Sequence, residues 1–431
     1  MSTLKVNKLR DTAGAADAIT LDPNGGAVLA GVTTMTTARV TSGIVTNTFI
    51  VGAGVTISES GIEASGIGIT CANINGNQIS GRRNLITNGA IQVAQRGTSA
   101  TCNSGGNTYS MDRWYARGES SLGVFTLSRE DITSNAQGVA YAAKVTVTTN
   151  VTPGSGDVYK IAQRIEGQDV AHLELGRSTA KSFTLSFSVK SSVTGTHSGS
   201  FMNSAQNQSF PFTYTINSAD TWEDKVVNVP ARTSGSWVVN NGIGLELNFD
   251  MGSGSGKRGT AGQWAGARAE GATGAVQVIS SASATWFVTK VQIEVGSQAT
   301  AFEHRSFGEE LRLCERYFCK SYDIGTAPAT ATFVGAIHGR NYDGTGRSAN
   351  PVFVYFVSRM RAQPTMTFYA GDGQSNKFST GSTVGGTDLT TESTFGTSFI
   401  NSESGIFHCD LAASVPALNL FAFQYTADAE L

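Results

Sequence analysis

The stretch nearest to a chemical motif is Met251-Gly-Ser-Gly-Ser-Gly-Lys-Arg258. A phosphate-binding P-loop needs a glycine, four residues, Gly-Lys and then Ser or Thr, so that backbone amides cradle the phosphates. Counted back from Gly256-Lys257, the first glycine position falls on Met251 and the hydroxyl position on Arg258. The stretch therefore reads as a mobile surface loop. His172, His197, His304, His338 and His408 show no pair spaced as zinc ligands on one helix or hairpin. The adjacent acids Glu130-Asp131, Glu223-Asp224 and Glu309-Glu310 diverge in direction, so none forms a general acid and base pair. No catalytic residue, metal ligand or cofactor site is assigned, and the chain is expected not to be an enzyme. A glycan depolymerase would need carboxylates brought together by folding alone.

Aromatic side chains offer a different chemistry, because a sugar ring stacks on an exposed aromatic face. Trp114, Trp222, Trp237, Trp264 and Trp286 all lie in the middle of the chain. Trp286 sits in an alternating strand and Trp114 in Met111-Asp-Arg-Trp-Tyr115, so both read as core. Trp264 stands in a Gly/Ala-rich stretch with little apolar company. It is a candidate ligand-binding residue, the alternative being a loop Trp folded back onto its domain. Toward the C-terminus, Tyr342 and Tyr369 are the matching candidates.

These residues must be positioned by β-structure. The chain has 431 residues with 50 glycines, 15% charged residues and a net charge of −2, against a usual charged share of about 25%. Helix-forming Glu, Lys and Leu are sparse. No basic stripe is present to neutralise phosphates, so no nucleic-acid partner is expected. No apolar run reaches the ~20 residues of a membrane span, and Met1 to Arg10 holds no apolar signal region. Cys71, Cys102, Cys314, Cys319 and Cys409 form no disulfide framework.

Residues 1–83 contain one aromatic, Phe49, and glycine-spaced β-branched runs such as Gly54-Val-Thr-Ile57 and Gly66-Ile-Gly-Ile-Thr70. Too few large side chains are present for one copy to bury a core, whereas three wound together could; the alternative is a flexible linker, against which the Ile and Val content speaks. Residues 84–305 carry period-two runs, Phe183 to Lys190, Gly244 to Asp250 and, less strictly, Thr285 to Val295, which read as half-buried strands of an antiparallel sandwich. Residues 306–322 open on a capping box, Ser306-Phe-Gly-Glu309. Leu311, Cys314 and Phe318 follow at helical spacing, which predicts a helix ending near Lys320. Residues 323–431 return to β patterns at Phe333–His338, Val352–Val357, Met366–Tyr369 and Phe421–Tyr425, with Gly/Ser/Thr loops at Gly371–Thr383 and Gly385–Thr397. The expected fold is all-β: an elongated homotrimeric fibre with a glycine-rich β shaft, a jelly-roll-like β-sandwich, one short helix and a C-terminal β domain. Asp112, Trp114, Ser306, Glu309, Leu311 and Phe318 are assigned structural roles.

Two motifs carry a resemblance. Arg83-Asn-Leu-Ile-Thr-Asn-Gly-Ala-Ile-Gln-Val-Ala-Gln-Arg-Gly-Thr-Ser99 with Tyr109-Ser-Met-Asp-Arg-Trp-Tyr115 resembles the opening of a domain recurring in tail-fibre-like structural proteins of bacteriophages, marine and cyanobacterial phages among them. Val291 to Glu303, then Arg305-Ser-Phe-Gly-Glu-Glu-Leu311 and Cys314-Glu-Arg-Tyr317, resembles the end of that domain. Ser2 to Val6 and Ala18 to Asp22 look like the start of cyanophage fibre proteins, and Val357-Ser-Arg-Met-Arg-Ala-Gln-Pro364 matches loosely. Asn84 to Gly89 with Gln292-Ile-Glu294 is also similar to a family of carbohydrate-binding β-sandwiches, which often hold a structural calcium near the first strand. Here Ala90-Ile91 stands where that family has Phe-Glu, and no metal is assigned. The resemblance implies a homotrimeric virion fibre assembled in the host cytoplasm, joined to other virion proteins through its N-terminal segment and bound to host surface polysaccharide through distal β domains. A capsid-decorating or baseplate protein that binds no receptor is the alternative.

Overall fold

The computed structural model describes residues 82–431 apart from 104, 120–121, 136, 341–351, 382–389, 393–394, 399 and 410–419. Of strand residues 381, 390–392, 395–398 and 407–409, and of six short strands between residues 8 and 64, it describes the backbone alone. Tyr342 lies outside the described residues. The chain divides into two units, Met1–Cys71 and Ala72–Leu431. In the first, Lys8–Arg10, Asp17–Leu21 and Ala27–Leu29 form one antiparallel sheet, and Thr48–Ile50, Val55–Ser58 and Gly61–Ala64 another.

The second unit is built on two six-stranded antiparallel sheets. One runs in the order Glu223–Val229, Phe183–Ser191, Thr285–Val295, Tyr141–Thr149, Val124–Asp131 and Ser99–Cys102. The other runs Ser209–Ile216, Gly195–Met202, Ile243–Asp250, Tyr159–Glu166, Tyr115–Gly118 and Thr108–Tyr109. Their apolar faces meet, with Phe183 5.0 Å from Phe201 and Phe249 5.1 Å from Trp286 between ring centres. Trp114 and Trp286 are fully buried there. The imperfect alternation of Thr285–Val295 has a local cause: the register against Phe183–Ser191 slips between Ser186 and Ser188, and Lys290 takes φ +52°, the signature of a β-bulge.

The second sheet departs from the half-buried pattern. Leu245, Leu247 and Phe249 face the sandwich core, yet Glu246, Asn248 and Asp250 on the opposite face are buried as well. The segment Arg258–Ala272 lies over them, its ends paired in parallel as Arg258–Gly259 with Gly271–Ala272. Gly271 fits because a Cβ there would meet Asp250 Oδ2 at 2.1 Å. Lys160 Nζ donates to Glu246 (2.6 Å) and Glu270 (3.0 Å), and Arg164 Nε donates to Glu246 at 3.0 Å. Met251, Gly252, Ser253 and Gly254 are also buried, because Asp250 Oδ1 accepts from Gly252 N and Ser253 Oγ. The expected mobile surface loop is thus, in its first half, part of the sandwich.

The helix Phe307–Glu315 starts as its capping residue requires, with Glu309 N–H donating to Ser306 Oγ at 3.3 Å. It stops five residues short of Lys320. Phe318–Lys320 instead pairs with the strand Leu420–Asp428, so inter-strand hydrogen bonding overrides the helical spacing of Phe318. Leu420–Asp428 also pairs with Ile337–Arg340, Thr365–Tyr369 and Phe378–Gly381, and Phe378–Gly381 pairs in turn with Thr390–Glu392. Phe333 to Ala336, expected as strand, forms a turn closed by Ala336 N–H donating to Phe333 O. A second apolar cluster, with Phe356, Met360, Phe368, Phe421 and Phe423, fills this part. Val352–Tyr355, Ser404–Cys409 and Phe395–Ser398 form a further sheet. Among the described residues no helix is long and apolar enough to cross a membrane.

The covered polar face yields a pH prediction. Burial opposes ionisation of Glu246, but Lys160 and Arg164 outweigh it and hold its carboxyl down at about 2. A depressed folded value contributes stability above the unfolded value of 4.5 that is lost as pH falls through about 2. The stability gap between the native chain and Glu246→Gln, measured by urea unfolding, is therefore largest above pH 4.5 and closes toward pH 2. A gap that stays constant across that window refutes the ion-pair account.

Candidate functional site

The sandwich and the C-terminal sheet are joined by two buried guanidinium groups. Arg96 lies over the Phe318 ring at 3.8 Å and donates to Asp428 at 3.0 Å, with Glu430 3.3 Å away. Arg113 lies over the Tyr317 ring at 3.4 Å and pairs with Glu430. Burial opposes the charge of both, and the neighbouring carboxylates more than restore it, so both stay protonated. Behind them Asp112, fully buried, accepts from Gln95 N at 2.6 Å and Gln95 Nε2 at 2.8 Å. Burial pushes the Asp112 carboxyl upward against the pull of Arg96. Gln95 continues across the seam, donating to Phe318 O, while Lys320 Nζ donates to the carbonyls of Gln95, Ile324 and Thr326. Burial lowers the Lys320 amine to about 8, and those three carbonyls engage the three protons of its charged form.

Beside this junction opens a cleft of about 480 Å³. Its floor follows from strand register: Thr365 opposes Asp428, Thr367 opposes Thr426 and Tyr369 opposes Gln424, so Thr365, Thr367 and Tyr369 share one face. Arg96, Phe318 and Pro328 complete the lining. The hydroxyls of Thr365, Thr367, Thr426 and Tyr369 make no hydrogen bond to another described residue, while the Tyr369 ring is braced edge-on by Tyr322 at 6.0 Å. The cleft thus presents a half-buried aromatic ring, a row of donor-acceptor hydroxyls and, at one end, an Arg–Asp pair. Such a set can hydrogen-bond a polyhydroxylated ligand while stacking on its apolar face.

Of the sequence candidates, Tyr369 lies in this cleft and Phe318 lines it. Trp264 folds back on the sandwich, its indole N–H donating to Pro230 O at 2.7 Å and its ring packed on Phe210 and Trp237. Trp114 N–H donates to Asn88 O at 3.0 Å. Asn88, at φ +57°, is a hub: its side chain bonds the backbones of Val93 and Asp112, and its N–H donates to Glu310 of the helix. The neighbouring Gly89 leaves no room for a Cβ, which would meet Val291 O at 2.3 Å. Leu311 is half-buried. Cys102, Cys314 and Cys319 are free and buried. Phe353 and Tyr355, read from sequence only as part of a strand, are 62% and 75% exposed. The sequence reading missed the convergence of Arg359, Arg361 and Gln363, whose signal was a short Arg-x-Arg-x-Gln run.

No family model matches this chain, and a comparison with curated proteins gives no match either. Among solved structures, the enzymatically active domain of tailspike protein 4 from Bacteriophage CBA120 is similar over 49% of this chain and 21% of that chain, at 13% identity and TM-score 0.27. This chain thus spans about a fifth of the tailspike's length. A putative sugar binding protein from Bacteroides thetaiotaomicron is similar over 49% of this chain and all of that one, at 14% identity and TM-score 0.29. The N-terminal cellulose-binding domain of Cellulomonas fimi β-1,4-glucanase C is similar over 49% of this chain and 95% of that one, at 10% identity and TM-score 0.23.

The calcium that the carbohydrate-binding resemblance raises does not fit the residues near the first strand. Asn84 Oδ1 accepts from Ile86 N and Ile293 N, and Glu303 accepts from Arg83 N and Asn84 N. The guanidinium of Arg305 donates to the carbonyls of Asn84 and Ile86 and to Glu303. A fixed cation of the chain's own already engages the oxygens a metal would need. Among the described residues no group of three or more His, Cys, Asp or Glu is placed to hold a metal ion. Calcium or EDTA is therefore expected to leave the melting temperature unchanged. Arg305→Ala should destabilise by about 3 kcal/mol, because it strips the partner from Glu303 and from buried carbonyls. A calcium-dependent rise in melting temperature overturns this assignment.

Proposed function

We propose that this chain is a structural fibre protein of a bacteriophage virion that attaches to a glycan on the host surface, with the Tyr369 cleft as a contact point. The observation that carries the reading is the row of hydroxyls on Thr365, Thr367, Thr426 and Tyr369, none hydrogen-bonded to another described residue, around one aromatic ring. The motifs from Arg83 to Ser99 and from Val291 to Tyr317 support the virion assignment by resemblance. In this reading three copies associate through the glycine-spaced N-terminal segment, which also joins other virion proteins, and weak glycan sites on each copy add through avidity. The protein binds without catalysing. In support, Glu246 and Glu270 are tied up in ion pairs within the sandwich, and Asp250 in hydrogen bonds.

The purified chain is expected to adsorb to at least one member of a panel of immobilised bacterial surface polysaccharides. Tyr369→Ala should weaken that adsorption about tenfold, the loss of one aromatic contact and its hydroxyl, whereas Tyr369→Phe should keep most of it. If no polysaccharide is retained, the receptor-free architectural reading replaces this one. Light scattering at micromolar concentration should give the mass of three chains; a single-chain mass removes the trimeric shaft.

A further inference from the structure

A second cleft, of about 680 Å³, opens where the sandwich meets the segment Arg359–Gln363, and its lining is basic and amide-rich: Arg316, Arg359, Arg361, Gln168, Gln363 and Asn401. Among the described residues no acidic side chain lines it. The three guanidinium groups are held differently. Arg316 is fixed by a two-pronged contact to the buried Glu166, at 2.9 and 2.7 Å. Arg361 donates to the backbone carbonyls of Ala429 (2.7 Å), Asn241 (2.8 Å) and Glu430 (3.0 Å), and among the described residues its charge has no carboxylate partner. Arg359 is 72% exposed, and its Nε lies 3.4 Å from Ser402 Oγ and 3.3 Å from the exposed Glu403. Its Nη1 and Nη2 carry no hydrogen bond to a described residue, nor does the Gln363 amide. Asn401 Oδ1 is spent on Glu403 N and Ser404 N, which fixes its amide group in place.

The geometry points to a binding site for an acidic saccharide, one bearing carboxylate or sulfate groups. Arg361 supplies an immobile positive charge whose cost of ordering is already met by the fold. Arg359 supplies a free fork of donors matched to a carboxylate or sulfate. Gln363 and Asn401 supply amide hydrogen bonds suited to ring hydroxyls. This inference rests on the glycan-attachment reading for the saccharide but not for the charge preference, and it uses none of the Tyr369 cleft.

The test is affinity electrophoresis of the full chain in gels containing alginate, dextran sulfate or neutral dextran, at low and high salt. Retardation is expected from one or both charged polymers and not from dextran, with alginate and dextran sulfate separating carboxylate from sulfate. It should fall as salt rises. Arg359→Ala should weaken it about tenfold, the loss of a charge-assisted contact, while Arg359→Lys should recover part of it. Tyr369→Ala should leave it unchanged. Equal retardation of the native chain and Arg359→Ala, or equal retardation by dextran, overturns the inference. If a surface polysaccharide is bound in a Tyr369-dependent way while both acidic polymers are ignored, this inference alone falls. If nothing is bound in any gel or on the panel, the attachment reading falls with it.

Discussion

The arrangement of the second unit depends on neutralising two buried guanidinium groups. Arg96 and Arg113 belong to the sandwich, and their carboxylate partners Asp428 and Glu430 follow from the strand Leu420–Asp428. An unpaired buried charge costs about 3–5 kcal/mol, which is a large share of a domain's total stability. The chain meets this demand by bringing its last strand against the sandwich, and that strand is also the hub on which four others pair. Two cores that could have been separated by a linker are thereby set side by side. The rings of Phe318 and Tyr317 beneath the guanidinium groups add cation–π attraction to the same contacts.

The same logic explains the sandwich's second sheet. A face carrying Lys160, Arg164, Glu246, Asn248 and Asp250 looks in sequence like an ordinary solvated face. In the fold it is closed over by Arg258–Ala272, which contributes Arg268 and Glu270 to complete the charge balance. The glycines and alanines of that segment let its backbone approach the sheet closely, as Gly271 does at Asp250. A polar surface becomes interior because every charge on it finds a partner there.

Sequence made the strands of the sandwich legible wherever one face was apolar, as in Phe183–Ser191, and it identified the helix start through Ser306. It did not reveal where the helix stops. Phe318 satisfies helical spacing, and only the presence of Asp428 across a sheet shows why it is a strand residue. Asp112 and Trp114 were readable as structural from their motif, but the reason, their shared dependence on Asn88 and Gln95, is a tertiary fact. Tyr369 was singled out as a candidate exposed aromatic of the C-terminal β domain. The threonines that make a cleft of it are commonplace in a chain so rich in hydroxyls, and nothing marks Thr426 as their neighbour until the strands pair.

The residues that line both clefts come from segments more than a hundred positions apart: Arg96 with Tyr369 and Thr426 in one, Gln168 with Arg359 and Asn401 in the other. Both clefts therefore exist only because the Arg96–Arg113 junction and the Arg316–Glu166 contact hold the two cores in register. The scarcity of charge across the chain acquires a specific meaning from this. A share of the described charges is spent on ion pairs that build the sandwich and its junction. At Arg361 a guanidinium keeps only carbonyl partners among the described residues, and beside it Arg359, though its Nε lies near Glu403, keeps Nη1 and Nη2 free of hydrogen bonds to described residues. In the proposed attachment reading, recognition falls to hydroxyls, amides and exposed guanidinium donors, presented at seams whose rigidity is set by buried ion pairs.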